Sequence, residues 1–129
     1  MLTIRPAHID DARTLFDWRN DPLTRAMSRN DAPVAWEAHL AWLTDRLARP
    51  EPGLYLAHFF GRPSGTFRID GDEISYTVAP EARGSGFGLL MLRHVKDNFG
   101  PLRAEIYARN KASIRIAERA GLHVHIIDG

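Results

Sequence analysis

Thr77-Val78-Ala79-Pro80-Glu81-Ala82-Arg83-Gly84-Ser85-Gly86-Phe87-Gly88 is the stretch on which the reading of this chain turns. On its N-terminal side, Glu73 to Ala79 alternates: Ile74, Tyr76 and Val78 share one face, and Glu73, Ser75 and Thr77 share the other. That period predicts a strand. On its C-terminal side, Phe87, Leu90, Met91 and Val95 recur at helical spacing over 87–98, and Gly100-Pro101 ends the helix. Gly84, Gly86 and Gly88 therefore sit where a strand turns into a helix. They clear side chains from a place where backbone N–H groups can converge on an anion. The helix start adds unpaired amides and a positive dipole end. Arg83 adds a charge at the loop mouth. Such a nest suits a pyrophosphate. A glycine-rich strand–helix turn with no ligand fits the same letters, so the loop needs its context.

The context is a mixed α/β chain. Leu2 to Arg5 reads as a strand stopped by Pro6. Ile9, Ala12, Leu15 and Phe16 mark a helix that Asn20-Asp21-Pro22 stops. Trp36, Leu40, Leu43 and Leu47 mark a second helix, which ends before Pro50. Leu54 to Phe60, Thr66 to Ile69 and Glu73 to Ala79 read as an antiparallel meander, with turns at Gly61-Arg62-Pro63 and Asp70-Gly71-Asp72. After the helix at 87–98 come a strand at 102–108, a helix at 111–120 capped by Gly121, and a strand at 124–127. Strand 73–79, helix 87–98 and strand 102–108 form a βαβ unit, which makes those two strands parallel. Two phosphate motifs fail. Gly88 is followed by Leu89 and Leu90 rather than by Lys and Ser or Thr, so this is no P-loop. The dinucleotide fingerprint needs a parallel sheet from the start and an acid after the next strand; here three antiparallel strands precede, and the next strand ends in Ala108-Arg109-Asn110.

Composition narrows the function. The chain has 129 residues, enough for one domain with a shared core, and residues 1–129 are expected to form one. Lys and Arg total 17 against 16 Asp and Glu, a net charge of +1, which lacks the basic excess of a nucleic-acid binder. The absence of cysteine excludes disulfides, thiolate metal sites and a cysteine nucleophile. Asp10 and Asp11 stand where a signal peptide needs an apolar run, and no stretch approaches the ~18–20 apolar residues of a membrane span. A soluble, cytoplasmic protein with no membrane or nucleic-acid partner is expected. His123 and His125 share a strand face, but no third ligand accompanies them, so no metal is expected.

Arg83-Gly84-Ser85-Gly86-Phe87-Gly88 resembles the acetyl-CoA signature Gln/Arg-x-x-Gly-x-Gly/Ala of the Gcn5-related N-acetyltransferase (GNAT) superfamily. Asn110-Lys111-Ala112-Ser113, followed by Ala120-Gly121-Leu122, resembles that family's Asn-x-x-Ser…Gly-Phe stretch. The order of elements matches over nearly the whole chain. The resemblance implies an α/β acyltransferase fold, acetyl-CoA as cosubstrate and a primary amine as acceptor. It implies that backbone from Tyr76 through Thr77 and Val78 to Ala79 pairs with the pantetheine arm, with an N–H near Val78 polarising the thioester carbonyl. It implies that Arg83, Gly84, Ser85, Gly86, Phe87 and Gly88 hold the pyrophosphate, that Asn110 and Ser113 lie along the pantetheine, and that the thioester sits where the two parallel strands splay.

Two departures follow from the same resemblance. Many members carry a Tyr seven residues after the helix-opening Asn, to protonate the leaving thiolate; here that residue is Ala117. Ser113 through a water, or Tyr76 from the strand, is the candidate acid, with unaided departure of the thiolate as the third alternative. Glu73, Glu105 and His58 are the candidate bases. Members also have two strands after the last helix, where this sequence has 123–127, so a partner subunit in a homodimer, or a shortened pocket, is expected. Trp18, Arg19 and Asn20 lie where the family shapes its acceptor pocket. With Trp36 to Leu43 they resemble acetyltransferases of nucleotide-linked amino sugars, of the pseudaminic acid biosynthesis type. Ribosomal-protein N-terminal acetyltransferases share the layout and give the alternative acceptor. A non-catalytic acyl-CoA-binding module is the rival from another class.

Overall fold

A computed structural model describes residues 1–129. Six strands form one sheet in chain order: β1 (Leu2–Pro6), β2 (Leu54–Phe59), β3 (Arg62–Asp70), β4 (Glu73–Val78), β5 (Arg103–Tyr107) and β6 (His123–Ile127). β1 to β4 are antiparallel neighbours, and β4, β5 and β6 are parallel. The helices are α1 (Ala12–Arg19), α2 (Pro22–Ala26), α3 (Trp36–Leu47), α4 (Phe87–Phe99) and α5 (Lys111–Ala120). No helix is long and apolar enough to cross a membrane.

The sheet's alternation builds two cores. Phe67, Ile74, Ala104 and Ile106 face α4 and α5, where Phe87, Met91, Leu92, Val95, Ala117 and Ala120 bury against them. Leu54 and Leu56 face the other way and meet Ala12, Leu15, Trp18 and Leu43 from α1 and α3. Truncating a fully buried aromatic such as Phe67 or Phe87 removes ~3–5 kcal/mol. Because α1 and α3 cover β1 to β3 only, the same face of β4 to β6 is left open, and it carries the alternating polar residues.

Four local readings are corrected. The α4 stripe turns one position: Leu92 is buried, while Leu90 is 42% exposed. Asp21-Pro22 does not only stop α1. Asp21 Oδ2 accepts from the Thr24 N–H at 3.1 Å and Pro22 occupies the first turn, so the pair also starts α2. β3 begins at Arg62, through Pro63, because a register shift at Ala57/His58 absorbs the proline. Trp36 is half-buried at the edge of its core, edge-to-face with Phe16 at 5.2 Å, rather than inside it.

Candidate active site

The loop after β4 presents amides with nothing to bind. Gly84 and Gly86 have φ of +73° and +83°, and a Cβ on either would meet no atom within 4 Å. These are left-handed positions that only glycine adopts cheaply, and they open onto free space. The N–H groups of Gly84, Ser85, Gly86, Gly88 and Leu89 make no hydrogen bond within the chain; Leu90 is the first to bond back, to the Gly86 carbonyl at 3.2 Å. Gly88 does a different job. A Cβ there would lie 2.9 Å from Ile116 Cδ1 and 3.2 Å from Val78 Cγ2, so its absence lets the start of α4 pack against α5 and β4. Phe87 anchors the turn in the core, and Ser85 Oγ accepts from its N–H at 3.4 Å. Five converging amides at a helix start and an unfilled glycine cradle fit a diphosphate such as that of coenzyme A.

Arg83 points elsewhere. Its Nη2 donates to Asp21 Oδ2 at 2.6 Å and to Thr24 Oγ1 at 2.9 Å, tying the loop to α2. Burial alone would raise the Asp21 carboxyl, but the bonds from Arg83 and the Thr24 N–H outweigh it and hold the group below its ordinary range. The Arg83 guanidinium is thus committed to two side chains, and its N–H is taken by the Pro80 carbonyl at 3.4 Å, so the free amides of the cradle begin at Gly84.

β4 and β5 part almost at once. Their only register pair is Glu73 with Arg103, where the Arg103 N–H donates to the Asp72 carbonyl at 2.8 Å. The Ala79 N–H donates to Ser64 on the β3 side at 2.8 Å. Backbone groups alternate sides along a strand, so Tyr76 and Val78 direct their N–H groups into the gap. A cavity of about 810 Å³ threads that gap: Glu73, Ser75, Thr77, Glu105 and Tyr107 line it from the open face, and Phe67, Tyr76, Ile106, Asn110 and Ser113 from the α4/α5 side.

Two hydroxyls meet at its inner end. Tyr76 Oη and Ser113 Oγ are in direct hydrogen-bond contact, and Tyr76 Oη also donates to the Ser113 carbonyl at 3.1 Å. Asn110 fixes Ser113 from below, its Oδ1 accepting the Ser113 N–H at 3.3 Å as the cap of α5. Burial pushes the Tyr76 phenol up to about 12, opposed in part by the Ser113 bond. Ala117 is fully buried one turn further along α5.

The carboxylates sit on the open wall. Glu73 Oε2 is 3.3 Å from Arg103 Nη2, and Glu105 Oε1 is 3.8 Å from Arg29. His58 lies outside the cavity, on β2, accepting from Arg5 Nε at 3.1 Å through Nε2. The acceptor-side residues divide. Trp18 is 6% exposed, packed between α1 and the sheet with an edge on the cavity. Arg19 lines the cavity and pins the following loop by donating to the Asn30 carbonyl at 3.1 Å. Asn20 lies in a separate shallow cleft and spends both ends of its amide on the Val34 backbone, at 2.9 and 2.8 Å. His123 and His125 are exposed on β6, and no group of three metal-ligating side chains is assembled anywhere.

Arg68 lines the cavity with no signal in the sequence, and His39 and Trp42, read there only as part of the 36–43 segment, line it too. His39 is buried, and burial lowers its pKa; the neutral ring donates from Nε2 to the Ala12 carbonyl at 3.1 Å. Arg68 faces Trp42 across 5.9 Å. Their spacing carries no motif, because β3 and α3 bring them together only in the fold.

A family model described as the acetyltransferase (GNAT) domain matches residues 1–123. The chain is similar to a solved Salmonella typhimurium protein assigned as an acetyltransferase and holding its cofactor acetyl-CoA. The two share 27% identity, over 94% of this chain and 79% of that one, with a TM-score of 0.69. It is also similar to a ribosomal-protein-alanine N-acetyltransferase from Brucella melitensis, at 26% identity over 92% and 83% of the two chains and a TM-score of 0.70. An aminoglycoside acetyltransferase solved with coenzyme A has a TM-score of 0.71 at 18% identity, over 94% and 83%, a likeness of fold alone. No curated protein matches the sequence.

Proposed function

The chain belongs to the GNAT acetyltransferase family and is an acetyl-CoA-dependent N-acetyltransferase; from that premise we propose that it acetylates the primary amine of a nucleotide-linked amino sugar. The observation that carries the acetyl-transfer chemistry is the gap between β4 and β5, with the Tyr76 and Val78 amides turned into it and the free amides of 84–89 at the end of β4. Acetyl-CoA, when bound, supplies a thioester whose acyl carbon takes the amine and whose sulfur departs.

The chain's part is to position and to polarise. The loop amides fix the diphosphate, Tyr76 and Val78 offer strand-like pairing to the pantetheine, and a gap-facing N–H near Val78 stabilises negative charge on the carbonyl oxygen. A free alkyl amine, with a pKa near ~10.4, must first lose a proton. Glu73 and Glu105 are the carboxylates on the wall that can take it, directly or through water. Tyr76 and Ser113 act together. Two hydroxyls carry two hydrogens; one lies between them, and the other is free to point at a departing sulfur in place of the Ser113 carbonyl. A thiol ionises near ~8.5 and this phenol near about 12, so full proton transfer from Tyr76 runs uphill. The pair stabilises the thiolate by hydrogen bonding, and the proton that the attacking nitrogen loses on becoming an amide passes to a wall carboxylate or to water, balancing the thiolate that leaves.

The amino-sugar acceptor is supported by the cavity's outer wall, where Trp18, Trp42, Arg19 and Arg68 offer aromatic faces and guanidinium groups. The Brucella melitensis likeness favours the second reading, a protein N-terminus. Coenzyme A release, followed with a thiol reagent, separates them: nucleotide-linked amino sugars are expected to outrun ribosomal-protein N-terminal peptides by at least tenfold in kcat/KM, and the reverse order overturns the sugar reading.

A further inference from the structure

Three guanidinium groups line the cavity, and Arg68 is the one that has to share its carboxylate with two others. Arg19 bonds to the Asn30 carbonyl, and Arg29 faces Glu105. Arg68 makes no side-chain hydrogen bond, and its Nε is buried with only a loose ion contact. That contact is Asp70, whose Oδ2 stands 3.4 Å from Arg68 Nε while its Oδ1 takes Arg46 at 2.9 Å and Arg49 at 3.6 Å, so three guanidinium groups surround one carboxylate. Arg46 is itself buried and saturated, donating to the carbonyls of Pro52 at 2.6 Å and Ile69 at 3.3 Å, and does not yield to Arg68. On its other side Arg68 faces the Trp42 ring. Positive charge is therefore in excess around Asp70, and Arg68 is the member of that group that lines the cavity, on the wall that also carries Glu73. Burial and the neighbouring Arg46 press the Arg68 pKa downward, which an added anion would relieve.

We propose that Arg68, flanked by Trp42, is the docking point for an anionic group, phosphate or carboxylate, on the acceptor, and that it selects acceptors carrying that group at a set distance from the amine. The proposal rests on the acetyl-transfer reading above. Arg68 pairs with Ser75 on β4, and Ser75 precedes Val78 by three residues. At ~3.3 Å per residue the anion subsite lies roughly 10 Å along the strand from the amide assigned to the thioester carbonyl. A bidentate bond from the free guanidinium edge is the natural contact, since planar forks match carboxylate and phosphate oxygens.

A ruler of acceptors tests it. Linear ω-amino carboxylates and ω-aminoalkyl phosphates of increasing length are compared with the neutral alkylamine of equal length, using coenzyme A release. The native chain is expected to prefer one length class of anionic acceptor over its neutral match by at least tenfold, and the two series tell which anion is favoured. In Arg68→Gln that ratio should collapse toward one, and in Arg68→Lys it should persist in reduced form. Melting temperature and acetyl-CoA calorimetry on both variants report whether they fold. Inorganic phosphate gives a readout that needs no variant: inhibition competitive with a neutral amine supports the subsite, and inhibition competitive only with acetyl-CoA overturns it. No preference for anionic acceptors in the native chain, or an equal preference in Arg68→Gln, also overturns it while leaving acetyl transfer standing. Absence of acetyl-CoA binding would take down both readings together.

Discussion

Tyr76 yields the prediction with the most arithmetic behind it. The phenol is lifted from an ordinary 10.0 to about 12, chiefly by burial. The sign follows from linkage: a group whose folded pKa is raised adds stability that is fully present below its unfolded pKa and is lost as pH rises through the folded value. Two pKa units correspond to about 3 kcal/mol, an order-of-magnitude figure. Urea denaturation at pH 8, 10 and 12 should therefore show the native chain losing about 2 kcal/mol more than Tyr76→Phe does by pH 12, where the folded phenol is half ionised, the difference cancelling the titration of all other groups. Absorbance near the phenolate band should show a late ionisation step, toward about 12, that Tyr76→Phe removes. The same variant tests catalysis. Removing one hydrogen bond to a departing thiolate is worth ~1.5–3 kcal/mol, or roughly 10- to 100-fold in kcat, with little change in acetyl-CoA affinity. Because Tyr76 stays protonated, the native pH–rate profile should rise with amine deprotonation and show no falling limb near 10. A falling limb near 10 that Tyr76→Phe abolishes, or equal alkaline destabilisation in both chains, would refute this reasoning.

The remaining predictions concern the loops and the first strand. Gly86→Ala forces a Cβ onto φ +83° and should weaken acetyl-CoA binding by about tenfold by calorimetry, from ~1–2 kcal/mol of backbone strain, while leaving the acceptor KM nearly unchanged. Asp21→Asn removes the anion that holds Arg83 and should raise the acceptor KM more than the acetyl-CoA Kd, because α2 leads into Met27 to Arg29 on the cavity wall. Asp11 is held below the usual carboxylate range by the hydrogen bonds of Arg5, against an opposing push from burial. Its contribution to stability is present above the unfolded pKa and lost as pH falls through the folded one, so Asp11→Asn should flatten the acid limb of a melting-temperature profile.

Elements whose signal is local were legible in the sequence. The period of two in Glu73–Val78 and the glycines at 84 and 86 each state their own conformation, and the strand–helix–strand order over 73–108 predicted the parallel pair and its turn. Arg83 misled because its charge was readable but its partner, Asp21, lies 62 residues earlier in the chain. Leu90 misled because helical period fixes a stripe only to within one residue, and α5 decided which side of α4 was covered. Arg68 was invisible for the reason that hides most pocket walls: it sits in no motif, and the fold alone makes it a neighbour of Trp42, which the sequence showed only within the 36–43 segment. Asn20 shows the converse, a conspicuous residue beside a turn whose amide is consumed in holding that turn together.

The central claim is that the start of α4 grips the diphosphate while the β4 backbone receives the arm bearing the thioester. A ¹⁵N–¹H titration of the labelled chain with acetyl-CoA reads every amide at once. The account predicts large, saturating shifts at Gly84, Ser85, Gly86, Gly88, Leu89, Tyr76 and Val78, with β1 and β2 quiet. Shifts confined to β1, β2 or the open face of β6, or no response at millimolar acetyl-CoA, would contradict it.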